Sequence, residues 1–225
     1  MRAVVRDMKH TPINPATADK AERAPTRRAL AKHQTRLKVL EAARQLFSEQ
    51  GYEGATIRDI ATSAGMSTGA VFANFTDKGD LFRHIMVDDA AALLATMRQA
   101  AEHGRNIEDM LVRTMSAGYA FYLNRAQLAR AAFTVLWEKD GRAALREHGI
   151  ARAQQDLFVE LLAEAAARGE LIGEAQVDLR GQMLHDIYLA NFPIVVFEQP
   201  SLEALEARAR GQIHILLAGA LPKAA

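Results

Sequence analysis

The sequence contains no cysteine, which excludes disulfide bonds, thiolate catalysis and cysteine-based zinc sites. It also lacks an apolar run of membrane-spanning length, and its first residues, MRAVVRDMKH, lack the apolar segment of a signal peptide. No alternating strand pattern or Asn-Gly hairpin turn occurs in the 225 residues. We therefore expect an all-α cytoplasmic protein, long enough for one or two domains.

The sequence also lacks enzyme signatures. It has no P-loop, GxGxxG, HExxH or GxSxG motif, and its serines lie in no recognisable nucleophile setting. His185 and Asp186 are adjacent, but neighbouring residues on a helix point about 100° apart and cannot easily cooperate. We therefore expect no catalytic residues, no metal site and no cofactor.

Positive charge is concentrated at the start of the chain. Residues 1–38 hold ten Lys or Arg against three Asp or Glu, a net charge of +7, whereas the net charge is −4 over residues 39–90 and −2 over the rest. Prolines and the absence of helical periodicity predict that residues 1–32 form a disordered basic arm. Such an arm is either a solubilising tail or a segment that meets a polyanion.

Three helices are predicted directly after the arm. Apolar residues at three- and four-residue steps indicate an amphipathic helix over residues 33–51. Thr56 and Asp59 have the spacing of a capping box, which begins a second helix that ends near residue 64. A glycine turn then leads to a short helix over residues 67–75. Two short helices joined by a tight turn, after a longer supporting helix, have the spacing of a helix-turn-helix.

The start of the third helix suits insertion into the major groove of DNA. The backbone can approach closely where residues are small, and hydroxyl groups there can bond to phosphates or bases. We expect Val71 and Phe75, four residues apart, to anchor the helix, and Asn74 to point outward. The small and polar residues expected to meet DNA are Ser67, Thr68, Gly69 and Ala70.

Two further residues are candidate phosphate clamps. Lys78, at the start of the next predicted helix, combines its charge with exposed backbone N–H groups. Thr56 offers a second clamp at the start of the preceding helix. Both expectations place phosphate contacts on either side of the third helix.

The segment LKVLEAARQLFSEQGYEGATIRDIATSAGMSTGAVFANFTDKGDLF, residues 37–82, resembles the DNA-binding domain of the TetR family of transcriptional regulators. The rest of the chain is similar to that family only in being helical and of suitable length. The family's framework is matched in register by Ala43, Leu46, Phe47, Gly51, Tyr52, Thr56, Ile60, Ala61, Ala64, Gly65, Ser67, Gly69, Phe75, Lys78 and Leu81.

The segment departs from the family pattern in its third helix. Phe72 stands where the family usually has a tyrosine whose hydroxyl touches phosphate, so the resemblance implies a packing role or a nonpolar contact with the DNA backbone for Phe72. Ala73 and Asn74 replace bulkier residues. Affinity is then expected to depend more on Lys78, on Arg58 and on basic residues of the arm that follow the duplex or enter a minor groove, namely Arg23, Arg27, Arg28 and Lys32.

Helices are predicted for the rest of the chain, over residues 78–102, 107–124, 128–137, from 142 or 149 to 168, 177–197 and 201–219. The helix 177–197 is apolar on two faces and is expected to bend at Pro193. A palindromic operator needs two recognition helices about 34–36 Å apart, which requires a dimer. The helices 177–197 and 201–219 are the expected dimer interface, as the resemblance also implies.

Family members usually enclose an effector in this region. The simplest interpretation of the following residues is that they belong to the core, but they are also the best pocket candidates: Met115, Tyr119, Tyr122, Phe133, Trp137, Phe158 and His185. Because these side chains are mostly apolar or aromatic, we expect a hydrophobic or aromatic effector. The helix 78–102 is expected to transmit effector binding to the DNA-binding residues.

The predicted organisation is a basic arm (1–32), a helix-turn-helix domain (33–82) and a helical effector-binding and dimerisation domain (83–225). Three functions remain open on the sequence: a ligand-responsive dimeric repressor, a regulator of the same fold without an effector, and a helical enzyme or scaffold. The sequence does not distinguish repression from activation.

Overall fold

The computed structural model describes residues 26–137, 149–172 and 176–221, excluding the side chains of residues 134–137 and 150. All regular elements in these ranges are helical, as the sequence predicts. They are α1 (Arg27–Gly54), α2 (Ile57–Ser63), α3 (Thr68–Phe72), α4 (Lys78–Ala101), α5 (Ile107–Leu123), α6 (Ala126–Trp137), α7 (Ile150–Ala167), α8 (Val177–Ala190), a π-helical turn (Ile194–Glu198) and α9 (Leu202–Leu217). No described helix combines the length and apolar character needed to cross a lipid bilayer.

The chain divides into two compact units, residues 1–35 and residues 36–225. In the first unit, α1 begins at Arg27, six residues before the start predicted at residue 33. Thr26 explains the earlier start, because its Oγ1 accepts a hydrogen bond from the backbone N–H of Ala29 at 3.2 Å and caps the helix. Arg28 and Lys32 are exposed on its first turns, whereas residues 1–25, including Arg23, lie outside the described part.

The helix-turn-helix of the second unit follows its local sequence signals. Gly51 has a φ of +77° and ends the regular part of α1. The capping box predicted at the start of α2 is present, since the Thr56 side chain accepts from the Asp59 N–H and the Asp59 carboxylate accepts from the Thr56 N–H. Ser67 caps α3, which ends at Phe72, three residues earlier than predicted. These caps fix both short helices locally.

Two clusters of buried side chains form the interior of the second unit. The head cluster contains the cores of α1, α2, α3 and the first turns of α4, together with residues of α6 and with Phe192 and Val196. The body cluster contains residues of α4, α5, α7, α8 and α9. The helix α4 continues without a break across residue 82, where the sequence predicts a domain boundary. One rigid helix therefore contributes to both clusters.

The helix predicted over residues 177–197 is interrupted, which corrects the expectation of a single bent helix. It ends at Ala190, and Asn191 follows with its N–H bonded to the carbonyl of Ile187 at 3.1 Å. After Pro193 the chain forms the π-helical turn, closed by the bond from the Gln199 N–H to the Ile194 carbonyl at 3.2 Å. Proline has no N–H to donate, which favours a break here.

The two apolar faces of α8 differ in burial. Leu184 and Tyr188 are buried in the body cluster. On the opposite face, Leu179 is 52% exposed and Met183 is 45% exposed. Among the described residues, therefore, only one of the two predicted apolar faces is covered.

Candidate nucleic-acid interface

The helix α3 is held from one side and open on the other. Val71 and Phe75 are buried in the head cluster, which confirms their predicted burial. Ser67, Thr68 and Gly69 are exposed, as is Phe72, whose side chain has 55% of its surface accessible. The fourth small residue of the predicted DNA-facing set, Ala70, is only half-buried. The first turn of α3 therefore offers hydroxyl groups, a glycine and one aromatic ring to the surroundings.

Arg36 of α1 fixes the residues that follow α3. Its Nη1 donates to the carbonyl oxygen of Asn74 at 3.4 Å, and its guanidinium carbon lies 4.6 Å from the centre of the Phe75 ring. A guanidinium at this distance from an aromatic face makes a favourable cation–π contact. Sequence reasoning missed this residue, because its partners lie 38 and 39 positions away and no local pattern marks the pairing.

Asn74 does not point outward as the sequence predicts. Its side chain is half-buried, and its Nδ2 donates to the carbonyl oxygen of Ala70 at 3.0 Å. The last carbonyl groups of a helix have no partner within the helix, and an amide one turn later can satisfy one of them. Asn74 thus completes the end of α3, so its amide is engaged within the protein.

The two residues at the start of α2 differ in availability. The Thr56 hydroxyl donates to the carboxylate of Asp59, and the Thr56 N–H lies 3.2 Å from the same carboxylate. A phosphate at Thr56 would have to compete with that carboxylate. Arg58, in contrast, is exposed on α2. The phosphate contacts predicted for Thr56 and Arg58 stay predictions.

Lys78 has a structural role that the sequence does not reveal. Its Nζ donates to the carbonyl oxygen of Tyr52 at 2.8 Å and lies 4.3 Å from the centre of the Tyr52 ring. The Glu53 carboxylate is 3.8 Å away. The ammonium thus joins the first turn of α4 to the end of α1. The predicted phosphate contact of Lys78 stays a prediction, and it would use an ammonium that already has these partners.

The second set of sequence candidates lies deeper, and the structure brings part of it together. Met115, Tyr119 and Phe158 are buried in the body cluster. The ring of Tyr119 stacks on that of Tyr188 with their centres 5.1 Å apart, and the Phe158 ring lies 6.4 Å from Tyr188. Burial raises the pKa of the Tyr119 hydroxyl to about 12, so the phenol remains neutral. Tyr188, not selected on sequence, is the centre of this group.

The remaining candidates do not join that group as one site. Tyr122 is half-buried and contacts both clusters, and its ring centre lies 4.7 Å from that of Phe192. Phe133 packs against the head cluster. Trp137 is the last residue of α6, and its side chain lies outside the described part. The predicted pocket residues whose side chains are described are therefore spread over two regions.

His185 is buried on α8, one turn before Tyr188. Burial lowers the pKa of its imidazole, and the nearby Asp186 carboxylate opposes this effect only partly. The folded chain thus holds the neutral ring, while the unfolded chain titrates near the ordinary value of 6.5. Above pH 6.5 the ring is neutral in both states, and the contribution of His185 to the free energy of unfolding is fully present. It is lost as the pH falls from there through the lower pKa that His185 has in the folded chain.

We therefore predict that acidification from above pH 6.5 lowers the free energy of unfolding less in His185→Gln than in the unsubstituted protein. Glutamine keeps a polar side chain of similar size but does not titrate. Urea unfolding at a series of pH values measures the difference. His103→Gln, at an exposed position after α4, also removes one imidazole and is the matched control measured beside it. Equal slopes for His185→Gln and the unsubstituted protein would contradict the prediction.

A groove of about 630 Å³ lies along α9 and the start of α5. It is lined by Glu108, Glu203, Glu206, Ala207, Arg210, Gly211 and His214. Its lining is mostly charged and includes none of the predicted pocket residues. It therefore does not correspond to the hydrophobic effector site expected from the sequence.

Comparison with known proteins agrees with this geometry. A sequence model described as "Bacterial regulatory proteins, tetR family" matches residues 39–85. The HTH-type transcriptional repressor BepR of Brucella suis is 31% identical over 173 residues, which are 73% of this chain and 78% of BepR. The repressor AcnR of Corynebacterium efficiens is 43% identical over 65 residues, 29% of this chain and 35% of AcnR, so the chain spans about a third of the first curated relatives it matches.

Similarity also extends to solved structures. The transcriptional regulator FadR of Bacillus subtilis, determined in complex with stearoyl-CoA, has a TM-score of 0.63 at 20% sequence identity. The alignment covers 81% of this chain and 98% of FadR, so the fold is shared across both the head and the body. With BepR aligned over most of its length and the family model covering the helix-turn-helix, the chain belongs to the tetR family of bacterial regulatory proteins.

Proposed function

We propose that this regulatory protein is a cytoplasmic, homodimeric, DNA-binding repressor that recognises an inverted-repeat operator through α3. The observation that carries the proposal is the surface of α3. Val71 and Phe75 fix the helix from behind, while Thr68 and Gly69 remain exposed at its start. A short helix presented this way can enter a major groove and approach base edges. Repression is proposed over activation because BepR and AcnR are named repressors.

Phosphate contacts are proposed for the groups that flank α3. The exposed Arg58 of α2 and the hydroxyl of Ser67 are available to the DNA backbone on one side. Basic residues of the arm would add charge that attracts the duplex without reading its sequence. Such contacts position the protein and leave base recognition to the exposed surface of α3.

The dimer is proposed to form through α8 and α9. On α8, Leu179 and Met183 are exposed, and their four-residue spacing places them on one face, away from the buried Tyr188. On α9, Ile215 is exposed, and an added side-chain carbon at Gly211 would meet no atom within 4 Å. A second copy is the occupant that suits both faces, because a symmetric pair supplies the two α3 helices that a repeat about 34–36 Å apart requires.

A small apolar effector is proposed to bind in the body, near the stacked Tyr119 and Tyr188. FadR of B. subtilis, solved with stearoyl-CoA, demonstrates that this fold can hold a largely apolar ligand. The effector would lower the affinity for DNA only to the extent that it binds more tightly to the conformer that cannot bind DNA. A screen of apolar and aromatic compounds by thermal shift and by DNA release tests this; compounds that stabilise the protein but leave DNA bound count against it.

The DNA-binding proposal is tested by selecting duplexes from a random library with the purified chain. We expect an inverted repeat to be enriched, and Thr68→Ala with Arg58→Ala to weaken its binding at least about tenfold, a loss of about 1.4 kcal/mol. Ala163→Gly with Arg152→Ala, exposed on α7, is the matched control and should bind like the unsubstituted protein. Failure to enrich any sequence would overturn the proposed function.

The proposed interface is tested separately by light scattering. Leu179→Asp with Met183→Asp places two charges on the exposed face of α8, and we expect a folded monomer with much weaker binding to the selected repeat. Ala95→Asp, exposed on α4, adds the same kind of charge elsewhere and should remain dimeric. A dimer that survives the double substitution would show that the two copies associate through another face.

A further inference from the structure

The exposed surface of α3 carries few groups that can form hydrogen bonds with bases. Its outward residues are Thr68, Gly69, Phe72 and Ala73. Arginine and lysine contact guanine, and asparagine and glutamine contact adenine, through paired hydrogen bonds in the major groove. None of these residue types is exposed on α3, and the one amide nearby, that of Asn74, is bonded to the carbonyl of Ala70 at 3.0 Å.

The large exposed group on this surface is the ring of Phe72. The Phe72 side chain is 55% accessible, whereas Phe75, three residues later, is only 2% accessible. Phe72 cannot donate a hydrogen bond to phosphate, because it has no hydroxyl group. In the major groove, the one apolar feature that distinguishes a base pair is the C5-methyl group of thymine.

We propose that Phe72, with the Ala73 methyl group beside it, is a specificity-determining residue that recognises thymine through its C5-methyl group. The inference rests on the proposed function, since it requires α3 to enter the major groove. Apolar contact between the ring and the methyl group removes both from water, and the hydroxyl of Thr68 supplies polar contact one turn earlier. The expected operator has a thymine in each half-site whose methyl group, rather than its hydrogen-bonding edge, is recognised.

The test replaces thymine by uracil in the selected duplex, one symmetry-related pair at a time. Uracil keeps the Watson–Crick pairing and removes only the methyl group. Burial of one methyl group is worth about 0.8 kcal/mol, so we expect about fourfold weaker binding per contacted thymine and about fifteenfold for the pair. Replacing thymines outside the selected repeat should have no effect.

The assignment to Phe72 is tested with Phe72→Ala in a double-substitution cycle. The variant should bind the thymine duplex and the uracil duplex equally, because the partner of the methyl group is gone. Its dependence on salt concentration should match that of the unsubstituted protein, since no phosphate contact is lost. Phe197→Ala removes a ring that is 61% exposed after α8 and serves as the control, which should keep the full preference for thymine.

The outcomes separate the inference from the function on which it rests. If no duplex is enriched, the proposed function fails. Suppose that a repeat is enriched and that replacing thymine by uracil weakens the binding of the unsubstituted protein and of Phe72→Ala to the same extent. The assignment of thymine recognition to Phe72 is then overturned. If replacing thymine by uracil leaves the binding of the unsubstituted protein unchanged, the inference is also overturned, because no methyl group is then recognised.

Discussion

Replacement of Phe47 by alanine is expected to lower the free energy of unfolding by about 3 to 5 kcal/mol. Phe47 is fully buried in the head cluster, where its ring centre lies 5.4 Å from that of Phe82 and 5.5 Å from that of Tyr52. Truncation removes apolar contacts with α1 and α4 at once and leaves a cavity that two large rings cannot easily fill. Urea unfolding measures the loss.

Phe72→Ala is the matched control for Phe47→Ala, because it removes the same ring from an exposed position of the same head. Its effect on stability should stay within about 0.5 kcal/mol. If Phe47→Ala unfolded at the same urea concentration as Phe72→Ala, the head cluster would not be the stabilising core described above. The comparison therefore separates residues that hold the head together from residues available to a partner.

Replacement of Asn191 by alanine is expected to lower the free energy of unfolding by about 1 to 3 kcal/mol, because it leaves a buried hydroxyl oxygen without the hydrogen bond that it accepts. Asn191 is almost fully buried, and its Nδ2 donates to the Tyr119 hydroxyl at 2.9 Å and to Gln212 Oε1 at 2.8 Å. Its Oδ1 accepts from Arg208 Nε at 2.8 Å. Arg208 is exposed and can turn to water, whereas the Tyr119 hydroxyl is enclosed.

The control for Asn191→Ala is Gln212→Ala. Gln212 is only half-buried, so its loss leaves the bond between Asn191 and Tyr119 in place, and a smaller change in stability is expected. Thermal or urea unfolding of both variants provides the comparison. Equal losses in the free energy of unfolding would mean that the hydrogen bond between Asn191 and Tyr119 adds no stability beyond that of the contacts with α9.

Helix ends were predictable because their signals are local. Thr56, Ser67, Asp77 and Ser201 each stand at or next to the start of a predicted helix. Their side chains each accept a hydrogen bond from a backbone N–H three residues later, as is typical of these residue types at helix starts. The anchors Val71 and Phe75 were predictable for the same reason, since their four-residue spacing places them on one helix face. Local spacing therefore predicts most of the head.

Contacts between distant segments were not predictable. Lys78 satisfies a carbonyl group 26 positions earlier, and Arg36 one that is 38 positions later. Asn191, at the break after α8, is bonded to side chains of α5 and α9, and these partners leave no mark in the local sequence. The sequence position of Asn74 predicts a side chain that points outward. In the structure its amide instead donates a hydrogen bond to the carbonyl of Ala70, one turn earlier. Each of these requires tertiary structure.

The interruption after α8 gives the backbone a double attachment. The amide of Asn191 is bonded to a phenol of the body cluster, and the next residue, Phe192, has its ring in the head cluster. A displacement of Tyr119 would therefore either break its hydrogen bond to Asn191 or move the backbone that carries Phe192. The body and the head are thus connected twice, once through the adjacent residues Asn191 and Phe192 and once through the long helix α4.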